Sequence, residues 1–173
     1  MTPDTVFQRA LSTLRFLWMA LVGSTLVLMG VVFVVHPDAH QHLDPSVELI
    51  LFAAAAGSAV ASFVLPSVAM GNAVRALGEM VIPASPGAPA RFREPVAVAR
   101  KAVAVAHPTL IVSMALSEAI SIEGLALHML GGPMAHVLPL MGTGTLLALF
   151  RFPTAKGIAA PFEAATGARF TSA

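Results

Sequence analysis

The sequence predicts an all-α, four-helix transmembrane bundle, and three observations carry that expectation. Hydrophobic residues make up 57% of the 173-residue chain, charged residues only 11%, and the mean hydropathy is +0.82. That composition lies outside the range of soluble globular domains of this length. Four apolar stretches, at about residues 16–35, 47–70, 108–130 and 134–152, reach or approach the roughly 20 helical residues that cross a hydrocarbon core about 30 Å thick. Finally, the ten Lys and Arg fall in three places: Arg9 and Arg15 before the first stretch; Arg75, Arg91, Arg93, Arg100 and Lys101 between the second and third; Arg151, Lys156 and Arg169 at the end. Positive charge marks the cytoplasmic side, so the N-terminus, the C-terminus and the central segment are expected inside, and the number of spans must be even.

The elements follow in order. Thr2, Pro3 and Asp4 make a helix start, with Pro at the first helical position and an acid near the positive end of the dipole. Phe7, Leu11, Leu14 and Trp18 recur at helical spacing, which predicts an amphipathic entry lying on the membrane surface with Arg9 and Arg15 toward headgroups. The first span is too long an apolar run for a cleaved signal peptide and is read as a retained helix. A short outer loop, HPDAHQHLDP, leads to a second span rich in small residues. In it Ala53, Gly57 and Ala61 repeat every four positions, as do Ala54, Ser58 and Ser62, and such spacing favours close helix packing inside or between subunits. Pro66 is expected to kink its inner end. Pro83, Pro86, Gly87 and Pro89 predict an extended cytoplasmic linker over 71–107, with a short interfacial helix opening at Glu94 and Pro95 before Pro108 re-enters the bilayer. Gly131, Gly132 and Pro133 form a turn so tight that the third and fourth spans must be a helical hairpin. Residues 153–173 form a cytoplasmic tail with one short amphipathic helix starting at Pro161, and the whole chain is one integral membrane domain.

The third span carries the strongest functional signal. Within ALSEAISIEGLALHML, Glu118 lies near the centre of the apolar run and Glu123 follows five residues later. An ionised carboxylate is costly there, so such a group is neutral, paired or part of an ion path. Five residues place Glu123 about 7 to 8 Å farther along the axis and about 140° around it, too far for the two to share one proton directly. Ser113, Ser117, Ser121, Gly124 and His128 fall in one narrow stripe of the same helix. A helix so small and polar belongs in a protein interior or at a subunit seam.

Ala115, Leu116, Glu118, Ala119, Ile122, Gly124 and Leu125 give this segment a resemblance to the carboxylate-bearing helix of the proteolipid, subunit c, of rotary ATP synthases. The resemblance covers about one helix and implies that Glu118 stands where that family binds a proton or sodium ion. The chain as a whole is similar to uncharacterised four-span bacterial membrane proteins with a proteolipid-like third helix, which implies a bacterial inner membrane.

Five of the six His cluster on the expected outer side: His36, His40, His42, His128 and His136, with Asp38, Asp44 and Glu48 near them in sequence. Imidazole and carboxylate suit zinc, nickel or copper, which makes His36, His40 and His42 the metal candidates, although no zinc-site spacing is present. The chain has no Cys, which removes disulfides and thiolate ligands. No phosphate-cradling loop, HExxH or nucleophile elbow is present, so neither an enzyme nor a cofactor is expected. The central basic residues are explained by topology and anionic lipid, and nucleic acid is not an expected partner. The leading expectation is a membrane component, a homo-oligomer or subunit of a membrane complex, in which Glu118 binds a proton or cation. Glu123 and His128 extend the route outward, and Ser117 and Ser121 supply hydrogen bonds. The alternative is a non-catalytic scaffold or assembly partner whose carboxyls are buried and neutral.

Overall fold

A computed structural model describes residues 2–35, 43–75, 80–85 and 90–170. Five helices account for most of them: α1 (Pro3–Val34), α2 (Pro45–Arg75), α3 (Pro95–Met129), α4 (Met134–Phe150) and α5 (Ala155–Thr166). Three helices, α1, α2 and α3, are long and apolar enough to cross a membrane, and a fourth crossing exists if α4 and α5 together count as one bent span. Two short strands, β1 (Val81–Ile82) and β2 (Arg91–Phe92), pair antiparallel with Val81 opposite Phe92 and Ile82 opposite Arg91.

Contacts divide the chain into two compact units. The first comprises residues 1–16, 65–111 and 153–173. Its core gathers Phe7, Leu11 and Leu14 of α1, Val98, Ala102 and Ala106 of α3, and Ile158 and Phe162 of α5. Phe170 closes it, edge-on to Phe7 at 5.1 Å and tilted against Phe92 at 4.6 Å. Here the structure departs from the sequence reading in three ways. The Phe7, Leu11, Leu14 face is covered by protein and not by lipid. The segment expected as a separate interfacial helix is the first three turns of α3, which runs unbroken through Pro108. The tail helix begins at Ala155, with Pro161 inside it. The common cause is that α3 and α5 each supply an apolar face that satisfies the others, a long-range effect that Pro-rich local sequence conceals. The ends of α5 do obey local rules. Thr154 caps it by accepting from the Gly157 N–H at 2.9 Å, and Gly167 terminates it at φ 69°.

The second unit comprises residues 17–64 and 112–152. Its helical segments, residues 17–34, 45–64, 112–129 and 134–150, are each about 17 to 20 residues long. Polarity in this unit is turned inside out. Thr25, Ser62, Ser113, Ser117 and Ser121 are at most 2% exposed, whereas Val27, Phe33, Leu49, Ile50 and Val60 each expose 59% or more. Water would penalise that arrangement, and lipid favours it. The α3–α4 hairpin is set by its glycines. The Gly132 N–H donates to Leu127 O and the Gly131 N–H to His128 O, both at 2.9 Å, while Gly131 takes φ 81°. This pair of bonds closes the end of α3 and needs a left-handed residue at position 131.

Candidate functional site within the apolar unit

The predicted polar stripe of α3 is the buried face of that helix. Ser113, Ser117, Ser121, Gly124 and His128 are all buried. Facing it on α4, Gly144 lies so close that an added Cβ would sit against the Ser121 hydroxyl, 2.6 Å from Ser117 O and 2.9 Å from Ser121 N. Gly124 is as tightly enclosed by Met141 and Leu140. Small residues on α3 and α4 thus bring the two backbones together.

The expected partnership between the serines and Glu118 is not what the geometry builds. Ser117 Oγ donates to Ser113 O at 2.9 Å, Ser121 Oγ reaches Met141 O at 3.4 Å, and Ser113 Oγ donates across to Ser62 O on α2 at 2.8 Å. A buried hydroxyl in an apolar helix bonds to a nearby backbone carbonyl, and each of these does so. Glu118 is half-buried and makes no hydrogen bond or ion pair among the described residues. Glu123 has Ser58 of α2 as a side-chain hydrogen-bond partner, yet its Oε2 is fully buried and has no partner among the described residues.

The residue that sequence reasoning missed is Arg151. Counted there as a flanking cytoplasmic charge, it turns inward at the C-cap of α4 and fastens three helices. Its Nη1 donates to Ser113 O at 2.9 Å and to Ser117 Oγ, and its Nη2 donates to Ser62 O at 3.0 Å and Ser62 Oγ at 2.8 Å. The guanidinium also lies 4.8 Å from the ring centre of Phe63. The sequence explains why Ser62 O is free to accept: residue 66, four positions on, is proline and has no N–H to give it. Arg151 also sat within the apolar run ALFRFP, which was the signal available. Nearby, the Trp18 indole N–H donates to Ala148 O at 2.8 Å and packs edge-on to Phe152 at 5.0 Å.

At the other end of α3, His128 is 95% buried, with Nε2 at 2.8 Å from Val35 O. A carbonyl only accepts, so Nε2 carries the hydrogen, and Nδ1 is left buried with no partner among the described residues. His136 pairs with Glu48 through Nδ1, beneath the edge of Phe52, whose ring centre is 5.6 Å away. His36, His40 and His42 lie outside the described residues, and among the described residues no group of three His, Asp or Glu could hold a metal ion.

Of the packing residues expected on α2, Ala53 and Gly57 are exposed, Ala61 is half-buried, and nothing comes within 4 Å of a Cβ placed on Gly57. Within the chain the buried positions of α2 are Ala55 and Ser62, a different face, chosen because Ser62 must reach Arg151 and Ser113. Comparisons with protein-family models, with curated proteins and with solved structures give no match.

Proposed function

We propose that this chain is a four-span integral protein of a bacterial inner membrane, with both termini cytoplasmic, that takes up and releases protons or small cations at the carboxyls of α3. One observation carries the reading. The Ser113, Ser117, Ser121 and Thr145 hydroxyls are committed to backbone carbonyls, while Glu118, one oxygen of Glu123 and the Nδ1 of His128 have no partner among the described residues. A purely structural acid inside an apolar bundle would be sealed by those hydroxyls, because an unmet polar group there is expensive. Groups left open along one helix are suited to exchange. The four helical segments of 17 to 20 residues in the second unit support four crossings, and the Lys and Arg distribution supports the orientation. The likeness of the Glu118 segment to the proteolipid helix is consistent with the same role.

The test is proton uptake in liposomes holding the purified protein and a trapped pH dye, under an imposed potassium diffusion potential. Wild-type vesicles acidify faster than empty ones, and Glu118→Gln and Glu123→Gln return the rate to that of empty vesicles with helicity unchanged. Equal rates for wild type and both variants would leave the second reading, a non-catalytic scaffold. The outward small-residue stripe of Ala53 and Gly57 favours that alternative, since it is free to pack against another copy or a partner subunit.

A further inference from the structure

The first unit holds a groove of about 580 Å³ between α2 and α5 that none of the foregoing uses. Pro66, Met70 and Val74 form its α2 wall, Pro161 and Ala165 its α5 wall, and Arg75 stands at one end. Its size is that of sites for small amphiphiles. The wall is graded along α2. It begins at Pro66, inside the apolar stretch, and over about nine residues, roughly 14 Å, passes to a guanidinium. Among the described residues Arg75 makes no ion pair and no acidic side chain lines the groove. The groove is open at Gly71, where nothing lies within 4 Å of an added Cβ.

We propose that this groove binds one anionic phospholipid of the surrounding bilayer. An acyl chain lies along Met70, Val74, Pro161 and Ala165, and the phosphate is met by Arg75. A zwitterionic lipid offers the same chain with a headgroup whose net charge is zero, so the cation selects for the anionic one. The site is independent of proton exchange at Glu118 and rests only on α2 being in a membrane, which resistance to alkaline carbonate extraction checks separately.

The experiment mixes purified protein in neutral detergent with phosphatidylglycerol or phosphatidylcholine and counts retained lipid by native mass spectrometry. Wild type retains phosphatidylglycerol in preference to phosphatidylcholine. Arg75→Gln, an exposed substitution, lowers phosphatidylglycerol retention about fivefold and leaves phosphatidylcholine unchanged. Gly71→Leu, at a position where a Cβ meets nothing within 4 Å, narrows the groove and lowers retention of both. Equal retention of the two lipids by wild type, or wild-type behaviour in both variants, overturns the proposal. So does loss in Gly71→Leu with no effect of Arg75→Gln, which would mean an uncharged occupant.

Discussion

Arg151 shows how one side chain settles a question that the composition leaves open. A guanidinium among apolar helices is tolerated when its planar donors meet preformed acceptors, and here a proline supplies one by releasing the Ser62 carbonyl. Arg151→Ala removes the guanidinium donors from the Ser62 and Ser113 carbonyls and leaves them the Ser113 and Ser117 hydroxyls, and it is expected to destabilise the fold by on the order of 2 kcal/mol in detergent unfolding. Arg151→Lys, which keeps the charge and loses the fork, should recover less than half of that. Asp44 gives the pH dependence. Its carboxylate accepts from the Ser46 N–H at 2.9 Å and Ser46 Oγ at 2.8 Å, and these bonds hold it below the ordinary carboxylate range. A lowered folded-state value means that the stabilisation is complete above the unfolded value near 4 and is lost as pH falls through the folded one. The thermal midpoint of wild type should therefore exceed that of Asp44→Ala at pH 6, with the gap closing as the medium is acidified below pH 4. A constant gap across that range would mean that the carboxylate plays no part.

At the scale of the element, α3 was legible in part. Its buried stripe, its two acids and the glycine turn after it followed from spacing alone, because helical periodicity and a left-handed turn are local properties. Its start at Pro95 was legible, but its unbroken run through Pro108 was not, since Pro108 read as punctuation and only the apolar faces of α1 and α5 make one continuous helix worthwhile. The glycines separate the two packing surfaces by experiment. Gly144→Ala drives a methyl against the backbone of Ser117 and Ser121, with no rotamer to relieve it, and is expected to cost about 1 to 3 kcal/mol. Gly57 is exposed with nothing within 4 Å of an added Cβ, and Gly57→Leu should leave the unfolding midpoint unchanged. Crosslinking in membranes then reports whether that outward face joins copies: if it does, the bulky side chain abolishes the crosslinked species.

For the molecule as a whole, composition and charge distribution foretold helices suited to a membrane, and the inverted polarity of the second unit agrees with that solvent. The first unit, with its aromatic closure by Phe92 and Phe170 and its paired strands, had no counterpart in the sequence reading, because its core is assembled from residues far apart along the chain. Between the Arg151 cluster and His128, α3 carries the centre of the account: Glu118, an acid with no hydrogen bond or ion pair among the described residues. Carbodiimide modification of protein in native membranes, mapped by mass spectrometry, tests this most directly, since the reagent enters lipid and reacts only with a protonated carboxyl. The account predicts modification of Glu118 that slows as pH rises and disappears in Glu118→Gln. Absence of modification at Glu118 at every pH would contradict it.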